Sequence, residues 1–311
     1  MLRSILCWLV IMCLWCAPRM VLAGPFSGHS NDPGQPDSSI HFTDPAISAW
    51  ATSVVNYSPA PGVDLEYQDT SNALGPADAT TTPFPNVSTV SLGDLDQTQI
   101  GAGAAPGSIT LATQQPVSDR SGPDFAVFEN SFDGTFAGDA SLVFGEMAYV
   151  EVSSDGVTFA RFPSLYTNLE TELNTSFGRD FAFFDPTNVN NLAGKHLAGW
   201  GTPFDLADLL GDAAIIASEV DLSNIRFIRL IDVPGSGDFF DALGNPIFDS
   251  WVSQRSGGLD LDAIGFLSTT VIPEPATAVT VGLALMSIVL LPTRWRRGGG
   301  GRLSRAKGLQ T

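Results

Sequence analysis

The side chains of this chain that could do chemistry are mostly carboxylic. Its 311 residues include 33 Asp and Glu, against three His and three Cys. Calcium takes six to eight oxygens from carboxylates, amides and backbone carbonyls. Asp238, Asp241 and Asp249 fall in one Gly/Pro-punctuated loop, and Asp260-Leu261-Asp262 opens the last apolar run. Strand alternation puts Asp260 and Asp262 on one side of the chain, where they can converge on one ion. Calcium is thus the cofactor these residues suggest, with the five aspartates as ligands, although a solvated acidic loop has the same composition. Asp94 and Asp96 form a further pair without the remaining spacing of an EF-hand loop.

Catalytic constellations are missing. There is no Gly-x-Ser-x-Gly elbow, no His-Glu-x-x-His and no Gly-rich phosphate loop opening a helix. His29 and His41 lie near the N-terminus, and His196 lies in the glycine-rich stretch Ala193 to Gly201, where a packing or surface role suits it better than catalysis. A glycosidase needs only two suitably spaced carboxylates, so Glu129, Glu146 and Glu151 are the residues on which that activity would rest. No local motif favours it, and the chain is read as a non-enzyme. A sugar-binding platform needs an exposed aromatic ring with polar neighbours. Trp200 and Trp251, with Asn190, Asn191 and Gln254 nearby, are the candidates.

The ends of the chain indicate a compartment. Arg3, the apolar run Ile5 to Cys16 and Val21-Leu22-Ala23 have the order of a secretory signal peptide, residues 1–23, cleaved after Ala23. Cys7, Cys13 and Cys16 all lie inside it, which leaves the exported part without a disulfide or a thiol nucleophile. Residues 24–273 carry seven basic and 32 acidic side chains, a net of −25, whereas the segment after Leu291 carries six basic and no acidic ones. An acidic body outside and a basic tail inside fit export. The same charge excludes nucleic acid as a partner.

Between these ends the expected architecture is mainly β, an antiparallel β-sandwich over residues 44–270, preceded by a flexible or loosely docked arm at 24–43. Asp44-Pro45 followed by Ile47, Trp50, Val54 and Tyr57 at helical spacing predicts one short amphipathic helix. Strands are expected at Ser108 to Ala112, Asp124 to Glu129, Ala148 to Ser153, Val157 to Phe162, Ile225 to Val233 and Ala263 to Leu267. Asp155-Gly156 predicts a hairpin turn, with Glu151 on a wet face between Val150 and Val152. A short helical turn is expected within Phe204 to Leu210. Near the C-terminus, Pro273-Glu274-Pro275 (motif 271–275) imposes an extended peptide. The apolar run Ala276 to Leu291, extended to 293, is read as a transmembrane helix, since its 16 residues span roughly 24 Å at about 1.5 Å each. Arg294, Arg296 and Arg297 begin a basic cytoplasmic tail at 294–311.

This C-terminal order resembles the sorting signal of PEP-CTERM proteins of Gram-negative bacteria. The resemblance implies an exosortase, a membrane-embedded processing protease, as partner. It implies membrane anchoring outside the inner membrane, then display at the cell surface or in extracellular polysaccharide. A second resemblance covers the body. Ala73-Leu74-Gly75-Pro76-Ala77-Asp78, Gly107 to Leu111, Gly122 to Asn130, Val150 to Gly156 and Gly257 to Gly265 are similar to successive segments of bacterial surface proteins with a galactose-binding-like, or discoidin-like, jelly-roll. That implies a fold and not a ligand, because such sandwiches host sugar binders, adhesion modules and enzyme appendages.

Overall fold

A computed structural model describes residues 25–32, 34–78 and 88–268. The signal peptide, the Pro-Glu-Pro motif, the apolar run and the arginine cluster lie outside the described residues. The described residues all belong to one compact unit. Among the described residues, no helix is long and apolar enough to cross a membrane.

The protein is mainly β with antiparallel sheets. In chain order the strands are β1 (Ile40–His41), β2 (Ile47–Trp50), β3 (Ser53–Ser58), β4 (Val90–Ser91), β5 (Ser108–Val117), β6 (Phe125–Glu129), β7 (Phe132–Asp133) and β8 (Val143–Phe144). They continue with β9 (Ala148–Ser153), β10 (Ala160–Arg161), β11 (Leu165–Tyr166), β12 (Val189–Asn190), β13 (Trp200–Phe204), β14 (Ile225–Asp232) and β15 (Asp260–Leu267). One sheet has the order β1-β13-β6-β15-β2, with β4 also on β15, and a second has the order β10-β9-β14-β5-β3. Two small pairs, β11 with β12 and β7 with β8, complete the set.

Period-two alternation explains why the two sheets share a core. Ile109 and Leu111 of β5, Val150 and Val152 of β9, and Ile228 and Leu230 of β14 point into one cluster with Phe125 and Val127 of β6 and Ile264 and Phe266 of β15. Phe125 stacks on Phe204 at 5.3 Å between ring centroids, and Phe162 meets both rings edge-on. A second cluster, which includes Met147, Tyr166, Phe184, Leu192 and Ile247, draws on the segment before β9, on β11 and on the connections after β11, β12 and β14.

The predicted helix over residues 44–57 is instead two strands. Asp44 begins a turn, accepting from the Ala46 and Ile47 amides, and β2 and β3 follow. The pairing of β2 with β15 shifts register between Phe266 and Leu267, and that of β3 with β5 shifts between Val54 and Asn56. Each bulge adds one residue, so Ile47 and Trp50, like Val54 and Tyr57, turn the same way three positions apart. Two bulged strands therefore reproduce helical spacing. Between them the chain crosses from one sheet to the other at buried Ala51, whose amide donates to Ile264 O.

Other expectations hold with adjusted limits. β5 and β15 are longer than predicted, and the 206–209 turn is a 3-10 helix. The hairpin after β9 forms, but its strand pairing resumes only at Ala160, opposite Val152. Asp155 instead fills the loop, accepting from the amides of Val157 and Thr158, with Gly156 at φ 78°. Glu151 is not on a wet face: it is buried between Arg161 and Arg229, with both of which it pairs. The described part of the N-terminal lead is tied down by Phe26 N to Thr187 O, by Lys195 Nζ to Ser27 O and by a bridge from Gly28 to Asp37.

Phe125→Ala tests the shared core. Removing this fully buried ring is expected to lower the unfolding free energy by about 3–5 kcal/mol in a urea titration. A loss below about 1 kcal/mol would place the joint between the sheets elsewhere.

Candidate functional site: a buried carboxylate cluster

Antiparallel pairing brings the ends of several strands to one rim. Asp232, the last residue of β14, pairs with Ala148 at the start of β9, two residues after Glu146. Glu129, the last residue of β6, pairs with Leu261 beside Asp260, the first residue of β15. Asp94 follows β4, which also pairs with the start of β15. The two sheets meet here, because Leu259 N donates to Asp232 Oδ1 at 2.8 Å. Asp249 reaches the same rim from the loop after β14 and accepts from Met147 N at 2.8 Å. Six carboxyl groups are thus gathered at one end of the structure, and all are buried.

The segment 253–260 holds them. Ser253 Oγ donates to Glu146 Oε1 and lies 3.2 Å from Asp94 Oδ2, and Gly258 N donates to Glu146 at 3.0 Å. Gly258 has φ 72°, and a Cβ there would stand 2.6 Å from Asp232 Oδ1 and 2.7 Å from the Gly93 backbone. Only glycine allows so close an approach. Asp260 Oδ2 accepts from Asn130 Nδ2 at 3.1 Å. Ser91 Oγ, also beside Asp260, donates to Gly257 O. Three oxygens remain buried without a hydrogen bond: Asp94 Oδ1, Asp232 Oδ2 and Asp260 Oδ1.

Loss of water dominates the electrostatics. Burial pushes Asp94 and Asp260 up to about 7, against hydrogen bonds that pull the other way. Burial also raises Glu129, Glu146, Asp232 and Asp249 well above the ordinary carboxylate range, and their mutual repulsion adds to it. Arg179 supplies opposing positive charge to Asp94 and Asp249, but its guanidinium is committed to the carbonyls of Asp249 and Gly235. Asp94 also lies on the wall of a cavity of about 420 Å³, together with Asp64, Gln99, Ser253 and Arg255, which connects the cluster to the surface.

The sequence-predicted residues divide between this cluster and other tasks. Asp249 and Asp260 belong to it. Asp241 instead organises a turn: burial raises its carboxyl, but bonds from Asn245, Tyr166 and Leu243 outweigh that and hold it below its ordinary value. Asp238 accepts from Gln97 and Ser236 near the surface. Asp262 parts from Asp260 because a bulge between Leu261 and Ala263 breaks the alternation, and its Oδ1 accepts from Asp78 N. Glu129 and Glu146, two of the three glutamates on which a glycosidase activity would rest, are cluster members. Asp232 was missed, and its only signal in the sequence is an acidic residue closing an apolar strand.

Trp200 is half-buried and meets His41 edge-on at 4.5 Å, and Trp251 is half-buried with its indole N–H on Leu95 O. His196 is buried with neither ring nitrogen bonded, and burial holds its pKa well below the ordinary value. Among the described residues, Asp119, Asp124 and Asp205 are the acidic group whose oxygens approach within 4.8 Å of one another. Both Asp124 oxygens accept from backbone amides and Asp205 caps the 206–209 turn, so this group is explained by local structure.

No family model matches the chain, and no curated protein matches it.

The raised carboxyls make stability depend on pH in a definite direction. A carboxyl whose pKa rises on folding favours the folded state most below its unfolded value, near 3.8, and that contribution is lost as pH rises through the folded value. For Asp94 and Asp260 the window closes at about 7. In chelator-treated full chain the melting temperature is expected to fall between about pH 5 and pH 8, and less so in Asp232→Asn. A melting temperature that rises across that interval would contradict the cluster.

Proposed function

We propose that this is an exported, non-catalytic protein of the cell surface or extracellular matrix, carried there by its C-terminal Pro-Glu-Pro signal as an exosortase substrate. The observation that carries the reading is the order of parts in the chain. A secretory signal precedes an acidic body, and Pro273-Glu274-Pro275, an apolar run and Arg294, Arg296 and Arg297 follow it.

For the body we propose the galactose-binding-like jelly-roll. Two antiparallel sheets on one core support it, as does the placement of the resembling segments on β5, β6, β9 and β15. Enclosure of the six carboxyls and of His196 favours a structural role for them over catalysis.

A second reading, a carbohydrate-binding adhesion module, is favoured by one surface feature. Phe136 and Phe177 are each more than half exposed and stand 5.2 Å apart over Phe181 and Phe183. Exposed rings of this kind suit a sugar face better than half-buried Trp200 or Trp251.

Replacing Pro273 and Glu274 by alanine in the source organism tests the sorting reading. Intact mass and cell fractionation are expected to show the unaltered chain shortened at its C-terminus and recovered outside the inner membrane. The variant is expected to stay at full length in the membrane. Identical masses and distribution for both would refute exosortase sorting.

A further inference from the structure

We infer that the buried rim formed by Asp94, Glu146, Asp232 and Asp260 is a calcium site that joins the two sheets. These residues differ from the acidic loop the sequence suggested, sharing only Asp260 with it.

Unpartnered oxygens carry the inference. Asp94, Asp232 and Asp260 each fix one carboxylate oxygen on a protein donor, namely Ser253, the Leu259 amide and Asn130. The other oxygen of each is buried without a hydrogen-bond partner, most completely at Asp232, since the Ser91 and Ser256 hydroxyls stand beside Asp260 and the Leu95 amide beside Asp94. A buried polar atom without a partner is costly, and a buried carboxylate more so, unless a positive charge is beside it. Arg179 cannot fill that role for Asp232 and Asp260, because its guanidinium is held by the Asp249 and Gly235 carbonyls.

The donor set selects the ion. Carboxylates and the Ser253 hydroxyl offer only oxygen, which suits a hard cation rather than zinc or copper. No three of these carboxylates bring one oxygen each within 4.8 Å of one another. Direct ligation by all of them therefore needs side-chain rotation or intervening water. Calcium accepts six to eight oxygens in variable geometry, whereas magnesium demands a near-ideal octahedron, so an irregular set closed in by side-chain rotation suits calcium. The cavity that exposes the edge of Asp94 gives the ion a way in.

An ion here would connect β14, β15 and the segment before β9, and so both sheets. Its contribution does not depend on how the chain is sorted, and the two readings fail independently.

Calcium titration of the full chain in detergent, by calorimetry and thermal melting, tests the site. One ion per chain and a raised melting temperature are expected, with affinity about 10–100-fold weaker in Asp232→Asn and in Glu146→Gln. Asp238→Asn, outside the cluster, is expected to bind as the unaltered chain does. Binding that survives both cluster variants, or no heat and no shift in the unaltered chain, overturns the proposal. If the variants do not fold, terbium emission sensitised by Trp251, beside Asp94, provides the second measurement. Emission displaced by calcium but not by magnesium supports the site, and emission that calcium does not displace overturns it.

Discussion

An ionised carboxylate removed from water costs several kcal/mol unless hydrogen bonds and opposite charge replace its hydration. This chain buries six at one rim of its two sheets, with Arg179 the cation in their field. Much of the surrounding architecture serves to accommodate them. Gly258 permits close approach, the 253–260 segment supplies amide and hydroxyl donors, and Asn130 is turned inward. The remaining charge is offset by bound protons or a bound cation, and that choice links the joint between the sheets to pH and to divalent ions.

The convergence follows from topology. Antiparallel neighbours place the end of one strand beside the start of the next, so acidic residues at strand ends, far apart in sequence, meet at one rim. Asp94 and Asp260 are separated by most of the described body, yet each is within the reach of the same loop. Such a site has no sequence motif, since each residue comes from a different strand end.

Strand positions were legible where the chain ran continuously apolar, as in β6 and β14, or alternated regularly, as in β9. The segment 44–57 was not, because both of its pairings are bulged. The spacing Ile47, Trp50, Val54 and Tyr57 suggested a helix because bulges in both pairings restore facing every third residue. The pair Asp260 and Asp262 suggested one ion for the converse reason, since alternation was assumed where a bulge breaks it. Asp249 and Asp260 were legible as cluster members. Asp232 was not, because burial of a strand end depends on what the other sheet places over it. Glu151 was misjudged likewise: its partners Arg161 and Arg229 come from neighbouring strands.

An acidic body gains solubility from charges on its surface, and the same charge becomes a structural demand where it is buried. Ligands that must shed protons to bind metal release them on binding. The most direct test of charge compensation at the rim is therefore the number of protons released when calcium is added to the full chain near pH 7, obtained from calorimetry in buffers of different ionisation enthalpy. The account predicts net release, because Asp94 and Asp260 are partly protonated there. Calcium binding with heat independent of the buffer would contradict it.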